Sequence, residues 1–288
     1  MDFPPYFADA ESSFSEAKYV IFSVPFGKSS SFRNGAHLGP EKIREASWNF
    51  ESFDLLTGLD LQDIPIHDYG SLEIDKNPDN DWWPIVEEFE KRIISVGKFP
   101  IAMGGEHAIT PPLLKAFGKD VCVLSLDAHL DFRNSYLSDP KNHACVMKRI
   151  SDFLPTKSLA VVGFRSAEVE EFADAKEAGL HMINAFEIKK RGISDAIVRL
   201  KEIFANRPIY LTLDIDVFDP AYAPATSTPE PFGLDVFDVY ELISSFTSQL
   251  VGFDVVEVCP PFDHGQTALL AAKMIRKTIT LVEKEQRS

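Results

Sequence analysis

The sequence predicts an α/β protein built on a mostly parallel sheet of eight strands with helices on both faces. Three observations predict it. Eight short runs, near 19–25, 63–68, 99–104, 121–127, 158–164, 181–185, 208–215 and 250–258, can be read as strands; many are rich in Val and Ile, and several are apolar throughout, as strands covered on both faces are. Segments with helical periodicity lie between them, and such alternation implies parallel strands joined by crossovers. Long non-helical stretches, 26–39, 132–142 and 218–233, follow strands, where sheets of this kind build their sites.

In chain order, the first strand is the run Tyr19-Val20-Ile21-Phe22-Ser23-Val24. Gly39-Pro40 then starts a helix over 41–46, because proline suits a helix's first turn. After the strand at 63–68, the segment 84–96 places Ile85, Phe89, Ile93 and Ile94 on one stripe. The strand at 99–104 runs into Gly104-Gly105, and the strand at 121–127 into an acidic run. A Glu- and Ala-rich helix over 167–178 follows the strand at 158–164. The strand at 181–185 precedes a helix over 194–204 carrying Ile197, Leu200 and Phe204. Beyond the strand at 208–215, Pro220, Pro224, Pro229 and Pro231 stiffen a long loop. The strand at 250–258 and a long amphipathic helix over 267–283 close the chain. No repeat or linker divides it, so residues 1–288 read as one domain.

Composition narrows the function. A net charge of −15 argues against nucleic acid and anionic membranes as partners and suits a small cationic substrate. Three cysteines, Cys122, Cys145 and Cys259, lack CxxC spacing, which excludes a disulfide framework and a structural zinc site. No apolar run reaches the roughly 18 residues a membrane span needs. The N-terminus, Met1-Asp2-Phe3-Pro4-Pro5, lacks the basic region of a signal peptide. A cytoplasmic enzyme is expected.

The chemistry concentrates at strand ends. Asp127, His129 and Asp131 follow an apolar strand at every-other-residue spacing, which in an extended segment aims all three to one side. Asp214 and Asp216 end a second such strand, and His107 follows Gly104-Gly105. Asp219 precedes Pro220 and reads as a turn residue. Singly, each has a structural reading as a cap or a core polar group. Together, clustered aspartates behind apolar strands require cations or raised pKa values. Oxygen donors with two imidazoles and no thiolate favour Mn2+ or a similar ion over a closed zinc site.

These residues resemble the ureohydrolase family of arginases, agmatinases and relatives. Gly104-Gly105-Glu106-His107 is similar to its Gly-Gly-Asp-His block. Asp127-Ala128-His129-Leu130-Asp131 matches its Asp-Ala-His-x-Asp run, and 213–220 with 224–229 its third signature. Asn34-Gly35-Ala36 with Gly39-Pro40, and Val255-Val256-Glu257-Val258, extend the resemblance over about 20–283. It implies an arginase-like three-layer α/β/α sandwich and assembly as a homotrimer or homohexamer. It also implies two Mn2+ ions bridged by Asp127 and Asp214. His107 and Asp131 would complete one ion's ligands, and His129 and Asp216 the other's. A guanidine compound would be hydrolysed by a hydroxide held between the ions. Glu257 would grip the guanidinium, His143 would shuttle protons, and a proton could also pass through Asp131.

The loop 132–142 lacks the Asn, Thr and Ser pattern with which arginases hold an amino-acid end, and is more similar to agmatinase-type loops. Agmatine is therefore the expected substrate, with aminopropylagmatine, guanidinobutyrate or arginine as alternatives. Glu168 is a candidate for the distal amine, or else a helix N-terminal acid. Arg133 would repel a dication unless it turns away or pairs with an acid. Glu106, Ala225, Ser227, Phe232 and Cys259 depart from the family pattern, and the added side chains of Ala225, Ser227 and Phe232 beside the cleft are expected either to narrow it or to shift substrate preference. A non-catalytic metal-stabilised oligomer and a one-zinc deacetylase are the competing classes; the intact ligand set and Glu257 count against both.

Overall fold

The computed structural model describes residues 3–74 and 81–287. Eight strands form: β1 Tyr19–Val24, β2 Ile66–Ser71, β3 Phe99–Gly104, β4 Cys122–Leu126, β5 Leu159–Phe164, β6 His181–Asn184, β7 Ile209–Asp214 and β8 Leu250–Val256. They make one sheet in the order β2-β1-β3-β8-β7-β4-β5-β6, and every pairing is parallel. β8 alone joins β2-β1-β3 to β7-β4-β5-β6 among the described residues.

All eight expected strands are present. The second starts later than its apolar run, because Leu61–Asp63 closes a 3-10 turn and Pro65 has no N–H to give a ladder. The helices are α1 Gly39–Ser47, α2 Trp83–Ser95, α3 Thr110–Leu114, α4 Val146–Ser151, α5 Val169–Glu177, α6 Ala185–Arg191, α7 Ile193–Phe204, α8 Val236–Ser244 and α9 Gln266–Arg287. The short α3, α4, α6 and α8 are additions to the sequence reading. The signal-peptide reading rests partly on Met1 and Asp2, which lie outside the described residues.

Strand residues alternate between two cores, as a period of two requires. Tyr19, Ile21, Ile101, Met103 and Leu124 pack with Ile43 of α1, Leu200 of α7, Leu242 of α8 and Ile275 of α9. Val20, Phe22, Ala102, Val123 and Val161 pack with Phe89 of α2, Leu113 of α3, Met147 of α4 and Ala175 of α5. Both faces of the sheet are covered, which gives the expected three layers and explains why β1, β3, β4, β5 and β7 are buried along their whole length, while the edge strands β2 and β6 are only partly buried. No helix among the described residues is long and apolar enough to cross a membrane.

Candidate metal centre

The four central strands, β3, β8, β7 and β4, bring the candidate residues to one edge of the sheet. After β3, the N–H of Gly105 donates to Val24 O (3.0 Å) and that of Glu106 to Phe26 O (2.9 Å). A Cβ on Gly105 would stand 1.8 Å from the Phe26 carbonyl oxygen, so only glycine permits the turn that delivers His107. Asp127 directly follows β4. Asp131 lies beyond the strand at φ 50°, so a left-handed turn, not strand periodicity, returns its carboxylate to the cluster. Asp214 ends β7, and its Oδ1 accepts from the Asp216 N–H at 2.9 Å. Glu257 follows β8, also left-handed, at φ 65°.

These side chains converge. His107 Nδ1 lies 3.1 Å from Asp127 Oδ2, 3.1 Å from Asp131 Oδ2 and 3.4 Å from Asp214 Oδ2. His129 Nδ1 lies 3.0 Å from Asp216 Oδ2 and 3.6 Å from Asp127 Oδ1. Two donor groups suited to a metal result: His107 with Asp127 and Asp214, and Asp127 with His129 and Asp216. Asp127 is common to both, Asp214 belongs to the first, and Asp131 adjoins that first group through His107.

The residues fit a pair of cations. His107 Nδ1, Asp127 Oδ2, Asp216 Oδ2 and Glu257 Oε2 are buried without a hydrogen-bond partner. Such atoms are costly unless something charged or donating sits among them. Titration carries the same signature. Burial, then the Asp127 charge, pushes Asp131 up to about 7. Burial, then Asp216 and Asp127, raises Asp214 well above the carboxylate range. Burial disfavours charge on His107, but Asp127, Asp131 and Asp214 outweigh it and raise its pKa. Oxygen and imidazole donors without thiolate suit a hard-to-borderline divalent ion.

A cavity of about 170 Å³ opens onto this cluster, lined among others by Arg133, Tyr136, His143, Glu171 and Glu257. Glu257 Oε1 accepts from the His107 N–H at 2.7 Å, which leaves Oε2 unpaired. Burial, then the Glu106 charge, pushes Glu257 up to about 8. His143 starts the turn His143–Cys145 behind its cap Asn142, with Nδ1 3.3 Å from Ser29 Oγ. Burial lowers its pKa.

Arg133 pairs with two acids, as its position demanded. Its guanidinium lies 2.9 Å from Glu168 and 3.5 Å from Glu171, over the Tyr136 ring. Glu168 is therefore not in the lining; it sits at the N-terminus of α5, its side chain 59% exposed, behind Arg133. The lining acid is Glu171, whose Oε1 also accepts from the Phe132 N–H at 2.9 Å. Ala225 and Ser227 are buried behind the lining, and Phe232 is exposed against Phe186. Residues without a sequence signal complete the surroundings. Glu106 is fully buried and accepts from the main-chain N–H groups of Ser29 (2.8 Å) and Ser30 (2.9 Å), fastening the loop that follows β1. Arg165 donates to the carbonyls of Asp216 (2.6 Å) and Glu230 (2.7 Å), tying β5 to the loop beyond Asp216. Of these, only Glu106 stood inside a recognisable block.

Comparison with known proteins places the chain. A sequence profile of the Arginase family matches residues 17–280. The chain is 33% identical over 283 residues to an agmatinase of Bacillus cereus, covering 95% of this chain and 94% of that one. It is 36% identical to the N(1)-aminopropylagmatine ureohydrolase of Thermococcus kodakarensis, covering 93% and 92%. The crystal structure of agmatine ureohydrolase of Thermoplasma volcanium superposes with a TM-score of 0.94 at 40% identity, over 100% of this chain and 97% of that one.

Proposed function

Because the chain belongs to the Arginase family, and so is a ureohydrolase that cleaves guanidino C–N bonds, we propose that it hydrolyses agmatine to putrescine and urea. The observation that carries this reading is Glu257: one carboxylate oxygen is anchored on the His107 N–H, while the other is buried and unpaired beside the cluster. A guanidinium N–H supplies what that oxygen lacks, with the added strength of a charged pair.

In this reading Asp127 and Asp214 would be shared by two Mn2+ ions, with His107 and Asp131 completing the ligands of one and His129 and Asp216 those of the other. Bound there, the ions would supply a nucleophile from water near neutral pH. Glu257 orients the guanidinium carbon above the cluster. Water adds to that carbon, the bond to the alkyl nitrogen breaks, and the leaving amine gains a proton that His143 or Asp131 delivers. His143 suits the task because burial keeps its imidazole largely neutral and able to exchange a proton. At the far end of the cavity, Arg133 is matched by Glu168 and Glu171, so one net negative charge faces a distal ammonium. A substrate carboxylate meets no free cation there and would lose its hydration without repayment. The reading includes one domain over 1–288 and a cytoplasmic location, which rest on the sequence pattern, and a homotrimer or homohexamer, which rests on the family resemblance.

A second reading, hydrolysis of aminopropylagmatine, is favoured by the name of the Thermococcus kodakarensis relative. Urea release with added Mn2+, compared as kcat/KM over agmatine, aminopropylagmatine, guanidinobutyrate and arginine, decides between them. Agmatine is expected first and arginine last; arginine equal to agmatine would refute the reading.

A further inference from the structure

Beneath the cluster, on the side away from the cavity, lies a buried polar chain that none of the roles above uses. His107 Nε2 is 3.0 Å from Thr212 Oγ1. The Thr212 hydroxyl donates to Asp254 Oδ1 at 2.6 Å. Asp254 Oδ2 accepts from the Tyr210 hydroxyl at 2.9 Å and from the Thr110 hydroxyl at 3.1 Å. Thr212, Thr110 and Asp254 are fully buried, and Thr212 and Asp254 are direct partners across β7 and β8.

The proton positions in this chain follow from donor and acceptor capacity. The hydroxyls of Thr212, Tyr210 and Thr110 each donate to an Asp254 carboxylate oxygen. Thr212 has one proton and spends it there, so its oxygen can only accept from His107. An imidazole that binds a metal ion is neutral and carries one N–H, and the Thr212 acceptor places it on Nε2. Nδ1 is then left with a lone pair, aimed at the carboxylates of Asp127, Asp131 and Asp214. It is the ring nitrogen without a hydrogen-bond partner. A lone pair facing three carboxylates is repelled unless a proton or a metal ion lies between them, and a bound ion takes the proton's place.

We infer that Asp254, acting through Thr212, is a positioning pair that fixes His107 in the tautomer whose Nδ1 binds a metal ion. The inference rests on the metal reading of the cluster. Asp254 and Thr212 touch neither substrate nor ion; their effect passes through the ring of His107. Partners of this kind typically change metal affinity roughly 10–100-fold.

The test is Mn2+ titration of the metal-stripped full-length protein by calorimetry, with melting temperature as a check on folding. Wild type should bind two ions per chain. Thr212→Val, which keeps the shape and removes the hydroxyl, should weaken one ion at least tenfold and leave the other within about threefold. Thr212→Ser restores the hydroxyl and should restore both affinities. Equal loss at both sites, or no rescue by Ser, means a general packing role and overturns the inference. Unchanged affinities in Thr212→Val, with wild type binding two ions, overturn it while leaving the metal reading intact. Wild type binding fewer than two ions overturns both. Neutron diffraction from wild-type holoprotein crystals tests it without any variant: a deuteron on Nε2 supports the inference, and one on Nδ1 refutes it.

Discussion

The main-chain N–H of His107 donates to the carboxylate of Glu257 at 2.7 Å, joining the ends of β3 and β8 across 150 residues of sequence. One oxygen of Glu257 is thereby fixed, and the other is held where a guanidinium would meet it. Glu257→Gln keeps the shape and removes the charge. It should lower kcat/KM for agmatine about 100-fold, the scale of a lost charged hydrogen bond. Bound metal should stay at the wild-type level, measured by elemental analysis. An unchanged kcat/KM would refute the guanidinium role.

Asp127 is common to both donor groups, whereas His129 and Asp216 belong to one. Asp127→Ala should therefore remove both ions and abolish urea release, while His129→Ala should retain one. Chelation of the wild type should abolish turnover, and Mn2+ should restore it. Metal-to-protein ratios after desalting check the first expectation, and turnover by rigorously stripped protein would contradict the second.

Glu168 neutralises Arg133 from outside the cavity, with its own side chain mostly in solvent. Glu168→Ala should leave the fold intact and free one face of the guanidinium. Guanidinobutyrate should then gain about tenfold on agmatine in kcat/KM, one charged hydrogen bond's worth. A constant ratio would show that Arg133 does not read the distal end of the substrate.

His143 reaches the cavity without belonging to either donor group. His143→Ala should lower kcat about 100-fold, the lower range for proton transfer, with KM and metal content nearly unchanged. Steady-state kinetics on agmatine separate the two; a loss confined to KM would remove it from proton delivery.

Asp54 ties the loop after α1 to α9. Its carboxylate takes the Lys277 ammonium at 2.7 Å and the Thr280 hydroxyl at 3.1 Å. Burial alone would raise its pKa, but Lys277 and the N–H groups of Thr57 and Leu56 outweigh it and lower the value to about 2. A depressed carboxylate stabilises the fold fully above its unfolded pKa, near 3.9, and loses that contribution as pH falls through the folded value. Asp54→Asn should lower the melting temperature at pH 7, and the gap to wild type should start to close below about pH 4. A gap that widens on acidification would reverse the assignment.

The inner strands were legible because both their faces are buried, which writes a mostly apolar run into the chain; the edge strands β2 and β6 are partly exposed and gave a weaker signal. The short helices were not: Thr110-Pro111-Pro112 looks like a turn, and 146–151 spans too few residues to show a period. The ligand set was legible because carboxylates and imidazoles after apolar strands are costly without a reason. Glu106, Glu171 and Asp254 were not, since their partners lie 77, 39 and 42 residues away and are chosen by the packing of neighbouring strands. Glu168 drew notice by its place after Arg165-Ser166, yet Glu171, one helical turn on, is the acid that reaches the cavity.

The place of β8 in the sheet also bears on how the chain assembles. Seven strands precede it in sequence among the described residues, and without 250–256 between β3 and β7 they would fall into two half-sheets that share no ladder. His107 belongs to one half and Asp127, His129, Asp131, Asp214 and Asp216 to the other. The donor group that contains His107 cannot exist before that last insertion, a long-range event of the kind that makes folding slow, whereas Asp127, His129 and Asp216 all lie in one half. An ion that needs His107 and Asp127 together acts as a clasp across the seam: it has no hold on the half-built sheet and favours only the chain in which β8 has gone in.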